Sequence, residues 1–237
     1  MARHLHRGAR ADAIRNGCVG AENEGWYRED VGTVSEKAVF LDRDGTLIRN
    51  VPHNVDPARV ELTPLAGYAL KLLRSNGYRL LLVSNQPGVA RGYFSRSALR
   101  AVDERIQALL GRDDTALDGF YYCPHLPGGE VRHYAVHCTC RKPQPGLLRR
   151  AAAEHGVDLG RSWLIGDVLD DIEAGRRAGC RTVLIVNGNE TEWRVDGDRA
   201  PHRFASNLGK AARLIVAETA AREAHEARRA KDLGDGR

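Results

Sequence analysis

The stretch Lys37–Ile48, KAVFLDRDGTLI, constrains this chain more than any other. A short apolar run, Ala38–Leu41, is followed at once by two aspartates, Asp42 and Asp44, with Arg43 between them. Val39, Phe40 and Leu41 show no polar alternation, which suits a strand buried on both faces of a parallel sheet. The carboxylates then stand at the strand's C-terminal end, where open α/β sheets hold their ligands. Gly45 permits a tight turn there. Two acids at a strand tip are costly unless a cation, a proton or an oxyanion chemistry uses them.

The rest of the chain alternates strand and helix signals. Thr63–Asn76 reads as a helix, with Thr63 as N-cap, Pro64 at the first position and Leu65, Tyr68, Ala69, Leu72 and Leu73 at helical spacing. Asn76-Gly77 stops it. Strands are expected at Arg79–Val83, Gly119–Tyr122, Ser162–Ile165 and Thr182–Val186. Helices are expected from Ser95, as cap, to Leu110, then over Gly146–Glu154, Asp170–Ala178 and Leu208–Ala230. This alternation predicts a Rossmann-like, doubly wound, mostly parallel sheet. Residues 1–36 lack periodicity and read as a poorly ordered extension, and 216–237 as a charged helix or tail, leaving 37–215 as the domain.

At 237 residues and 42% hydrophobic content the chain can build a sizeable core. Its net charge of +5 fits an anionic partner, but Arg and His crowd both termini, so the excess does not single out nucleic acid. No apolar run nears membrane-spanning length and no signal core opens the chain, so the cytoplasm, and no membrane, is expected. Five cysteines, three of them beside histidines, read as metal ligation rather than disulfides.

That cluster is Cys123-Pro-His125 with Cys138-Thr-Cys140. Three thiolates and one imidazole suit a closed tetrahedral Zn²⁺ that pins a loop, 123–140, lacking helix or strand signals. On the residues alone His133 and His137 rival His125. Cys18 and Cys180 are left over, with Cys180 packing before the last strand.

Three further stretches place polar groups at strand ends. Ser84 and Asn85 in VSNQPGVARG offer a hydroxyl and an amide to phosphoryl oxygens. Lys142 in CRKPQPG offers fixed positive charge. Asp167 in WLIGDVLDD is a further metal ligand, supported by Asp171 or Asp170, one of which also caps the next helix. Asp42 reads as a nucleophile that forms an aspartyl-phosphate, Asp44 as the acid and base, and hard Mg²⁺ as the cation between them.

These stretches, in this order, resemble the motifs of the haloacid dehalogenase (HAD) superfamily of phosphatases. With the cysteine loop the chain resembles the subfamily of heptose bisphosphate and histidinol phosphate phosphatases, over about residues 37–187. The resemblance implies that Asp42 is nucleophile and metal ligand, that Asp44 is acid/base and lends its carbonyl to the metal, and that Lys142 neutralises the phosphoryl group. It implies substrate contacts for Arg141 and Arg91, and zinc on Cys123, His125, Cys138 and Cys140. Val168 departs from it, because some close members carry a substrate-binding lysine there.

The gaps between motifs leave no room for a large cap domain. Short loops at Asn50–Pro57, Gly88–Phe94 and Leu126–Val136 should cover an open site. The expected function is hydrolysis of a small phosphorylated metabolite, a sugar bisphosphate, by a monomer. The preferred substrate is D-glycero-D-manno-heptose 1,7-bisphosphate at its 7-phosphate; histidinol phosphate follows, then a polynucleotide end. A zinc-stabilised nucleic-acid-binding module is the non-enzymatic alternative, but no aromatic-basic stripe supports it.

Overall fold

The computed structural model describes residues 36–188 and 195–234. The expected extension 1–36 lies outside them but for Glu36, as does Cys18. Five parallel pairings join six strands: β1 (Lys37–Leu41), β2 (Tyr78–Asn85), β3 (Gly119–Cys123), β4 (Trp163–Gly166), β5 (Arg181–Ile185) and β6 (Arg203–Ala205). Their spatial order is β3-β2-β1-β4-β5-β6. The chain winds outward from β1 through β2 to β3, then returns to β4 on the other side. The reversal puts β1 and β4 side by side, with Leu41 in register with Ile165, and opens a crevice beyond their tips.

The helices are α1 (Ala66–Ser75), α2 (Ala98–Gly111), α3 (Gly146–His155), α4 (Leu169–Ala178) and α5 (Leu208–Gly234). The strand period of two sorts the apolar side chains onto two faces. Val39, Leu41, Leu80, Leu82 and Ile165 pack with α1, α2 and α5. Ala38, Phe40, Leu81, Val83 and Leu164 face α3 and Ala174 of α4. Both clusters are fully enclosed, so β1 is buried on each side, as its unbroken apolar run requires.

Some local expectations are corrected. Thr63 does not cap α1: its hydroxyl donates to the carbonyls of Thr46 (2.7 Å) and Leu47 (3.2 Å). The helix starts after Leu65, which takes a left-handed φ of 64°. Ser95 does not cap α2 either; its hydroxyl meets that of Ser97, and a turn intervenes before Ala98. Neither Asp170 nor Asp171 caps α4, because Val168 occupies that position in extended backbone. Strand β6 was not expected, since three residues carry no periodicity. Helix α5 runs through the boundary drawn at 215/216; Ile215 is buried, whereas residues 220–229 are exposed. No helix among the described residues is long and apolar enough to cross a membrane.

One buried carboxyl lies between α2 and the sheet. Asp103 accepts a hydrogen bond from the Tyr122 hydroxyl, and its burial pushes it up to about 7, against the opposing pull of that bond and of Arg43. A carboxyl raised in the folded state binds more protons there than when unfolded. Its contribution to stability is therefore full below its ordinary value of 3.8 and lost as pH climbs through about 7. Asp103→Asn removes that loss. The melting temperature of the variant minus that of the wild type should become more positive from about pH 4 to about pH 8, as read by thermal unfolding.

Candidate active site

Each strand tip in the crevice delivers one polar group. Asp42 follows β1 directly, with its amide donating to the Ile165 carbonyl of β4 (3.0 Å). Gly45 then turns the chain at φ 85°, a conformation side chains rarely adopt. Ser84 is the last residue but one of β2, which runs through Ser84 and Asn85 rather than ending at Val83 as expected, and Asp167 follows β4. Asp171 reaches the same place from the first turn of α4, accepting a bond from the Val168 amide (3.3 Å). It fits only because residue 166 is glycine: a Cβ there would lie 2.3 Å from the Asp171 carboxyl.

Carboxylate oxygens of Asp42, Asp167 and Asp171 all lie within 4.8 Å of one another, and all three residues are buried. Lys142 enters this group from the loop before α3. Its ammonium lies 2.5 Å from Asp42 Oδ1 and 2.6 Å from Asp171 Oδ1, and donates to the Val83 carbonyl at 2.9 Å. Burial and the three neighbouring acids push the Asp42 carboxyl well above the usual range, while Lys142 pulls it down. The same two aspartates hold Lys142 firmly protonated against its own desolvation. One ammonium against three buried carboxylates leaves net negative charge, which in a low-dielectric site calls for a further cation. Thr46 supports this group by donating to Asp167 Oδ1 (3.3 Å).

Asp44 stands apart from that trio. Arg43 donates to its Oδ2 through Nε (3.0 Å), with Nη2 at 2.9 Å, and Gln86 Nε2 donates to the same oxygen (2.9 Å). Gln86 also donates to Ser84 Oγ (3.0 Å). Sequence reasoning singled out neither Arg43 nor Gln86. Their adjacency to Asp44 and Asn85 was the only signal, and side-chain direction past a strand end is not written in a hydropathy pattern.

Several expected residues are placed differently from one another. Asn85 was expected to face phosphoryl oxygens; instead its amide exchanges two 3.0 Å hydrogen bonds with the backbone of Lys142, holding the lysine loop against β2. Asp171, not Asp170, joins the carboxylates, since Asp170 turns toward Arg199 (3.5 Å). Arg141 donates to the His125 carbonyl (3.3 Å). Arg91 Nη1 lies 3.3 Å from His53 Nε2, whose ring packs edge-on against Tyr93. That contact joins the two loops 50–57 and 88–94, and the Val131 amide ties the third to Ala90 (2.9 Å).

The cysteine loop starts where β3 ends, with Cys123 in register with Asn85. The sulfurs of Cys123, Cys138 and Cys140 lie 3.3–3.6 Å apart, and His125 Nδ1 is 3.4 Å from Cys140 and 3.6 Å from Cys123. These spacings are too long for a disulfide. They approach the edges of a tetrahedron whose metal–sulfur bonds are about 2.3 Å. The bond from the Cys140 thiol, helped by His125 and Cys138, pulls Cys123 down to about 6. Burial and the Cys123 charge push Cys138 up. Of the rival histidines, His133 packs on Tyr134 and His137 is exposed; neither joins the four.

The HAD-hydrolase-like family model matches residues 139–211. The chain is 41% identical over 156 residues to the D-glycero-beta-D-manno-heptose-1,7-bisphosphate 7-phosphatase of Haemophilus ducreyi, covering 65% of this chain and 84% of that one. It is 38% identical to the Pasteurella multocida protein of the same name, covering 76% and 97%. Among solved structures it is similar to a HAD-like phosphatase of Mesorhizobium loti, with TM-score 0.68, 34% identity and coverage of 77% and 87%. It is also similar to the D,D-heptose 1,7-bisphosphate phosphatase of B. bronchiseptica complexed with magnesium and phosphate, with TM-score 0.67, 30% identity and coverage of 77% and 99%. Carboxylates gathered at the switch point, a lysine among them and a cysteine–histidine loop beside them thus agree with the relatives: the chain belongs to the HAD superfamily of phosphatases, in the branch of the heptose bisphosphate phosphatases.

Proposed function

We propose that this enzyme hydrolyses the 7-phosphate of D-glycero-D-manno-heptose 1,7-bisphosphate through an aspartyl-phosphate on Asp42. The observation that carries the reading is the buried group of Asp42, Asp167, Asp171 and Lys142 at the tips of β1 and β4. The heptose enters through the names of the relatives.

An oxygen of Asp42 attacks phosphorus and forms the new O–P bond. The ester P–O bond breaks, and its electron pair goes to the sugar oxygen, which takes a proton from Asp44. Asp44, now ionised, accepts a proton from water as the water oxygen attacks the phosphorus. The O–P bond to Asp42 breaks and its electrons return to the carboxylate. Lys142 favours the ionised form of Asp42 against its burial and balances charge on the phosphoryl oxygens. Ser84 Oγ accepts from Gln86 and turns its proton toward those oxygens. Asp42 and Asp167, with the Asp44 carbonyl, would hold Mg²⁺, and Asp171 supports the site through Lys142. Bound there, Mg²⁺ supplies the missing positive charge. Arg141 and Arg91, on loops beside the zinc segment, are assigned to the part of the substrate that is not transferred.

The four residues Cys123, His125, Cys138 and Cys140 would hold Zn²⁺ in a closed, structural site. No position in that set is left for a reacting water, so the ion fixes the loop that leads into Arg141 and Lys142.

Phosphate release from a panel of heptose bisphosphate, other sugar phosphates, histidinol phosphate and a 5′-phosphorylated oligonucleotide tests the reading; it expects the heptose bisphosphate to give the highest kcat/KM. Asp42→Asn should lower kcat below about 10⁻³ of the wild-type value while leaving the thermal transition in place. Removing Mg²⁺ with a chelator should stop turnover reversibly. Stripping zinc, or Cys138→Ser, should instead lower the melting temperature, with zinc measured by elemental analysis; a preparation that holds no zinc removes the structural-metal assignment.

A further inference from the structure

The environment of Asp44 treats its two oxygens differently. Three N–H donors converge on Oδ2: Arg43 Nε at 3.0 Å, Arg43 Nη2 at 2.9 Å and Gln86 Nε2 at 2.9 Å. Oδ1 is enclosed and has no hydrogen-bond partner among the described residues. The guanidinium that makes this clamp is itself almost wholly buried, with 1% of its side chain exposed. It lies over the Tyr122 ring, 5.9 Å from the centroid, and the Tyr122 hydroxyl is in turn anchored on Asp103. Burying an arginine is costly unless its charge and its donors are used in fixed geometry. Here Nε and Nη2 are used on one oxygen of one carboxylate, while Nη1 is enclosed with no hydrogen-bond partner among the described residues.

We infer that Arg43, with Gln86, is a positioning residue that holds the Asp44 carboxyl by Oδ2 and so fixes the orientation from which Asp44 exchanges a proton with the leaving oxygen and the water. The inference rests on the reading of Asp44 as acid and base. A carboxyl free to rotate would spend part of its time turned away from the ester. Gln86 extends the lock to the phosphoryl side, because the same amide nitrogen bonds Ser84. Tyr122 and Asp103 brace the arginine from β3, the strand that runs into the cysteine loop, and from α2.

The test separates positioning from general support of the fold by varying the leaving group. An alkyl oxygen needs the proton as its bond breaks; p-nitrophenolate departs as a stable anion and needs it little. In Arg43→Met, kcat/KM for a sugar phosphate that the wild type hydrolyses should fall by about 10²-fold, while kcat/KM for p-nitrophenyl phosphate falls by less than about tenfold. Equal losses on both substrates, or no loss on either, overturn the inference. If Arg43→Met has no cooperative thermal transition, Gln86→Leu is read in its place, with the same direction of contrast and the same overturning result. A wild type that hydrolyses neither substrate overturns the phosphatase reading itself and this inference with it; a wild type that hydrolyses both, with variants that lose equally, overturns this inference alone.

Discussion

The ammonium of Lys142, held between Asp42 and Asp171 with almost no contact with water, is the interaction on which the site depends. Three carboxylates packed at one strand edge repel one another, and each loses hydration on burial. A single lysine cannot cancel that, but it fixes the arrangement in which a divalent ion can. The fold is built to bring it there. Asn85 grips its backbone with paired hydrogen bonds, the Val83 carbonyl accepts its third donor bond, and Gly166 clears the space that Asp171 needs. Removing any one of these contacts unbalances a group whose members are not stable separately.

Much of this was legible in the chain. Asp42 and Asp167 could be placed because each ends an apolar run too short for a helix and too continuous for an exposed strand. The cysteine loop could be read because thiols spaced among Pro, Gly and His have no part in a hydrophobic core. What was not legible depends on side-chain direction. Whether Asp170 or Asp171 faces the site is decided by where α4 starts, and that start is set by Val168 rather than by an acidic cap. Thr63 looked like a cap because its sequence neighbours suit one, but the chain turn at Thr46 and Leu47 claims its hydroxyl first. Arg43 read as an ordinary residue between two aspartates; only the packing of Tyr122 beneath it reveals a buried cation.

The same comparison shows where the local signals and the tertiary structure part company. Helix ends were displaced by two or three residues wherever a polar cap candidate had a better partner elsewhere. The end of β1 stayed at Leu41, as burial on both faces requires, but β2 runs on through Ser84 and Asn85, two residues past its expected end at Val83.

The three rim loops fasten mainly to one another: His53 to Arg91, and Ala90 to Val131. Such an arrangement uncouples two kinds of change. Edits to a rim loop alter which molecule is held without disturbing the phosphoryl chemistry, and the reaction is preserved while its clientele shifts. Lineages carrying this architecture can therefore diversify at the mouth at little cost to the floor.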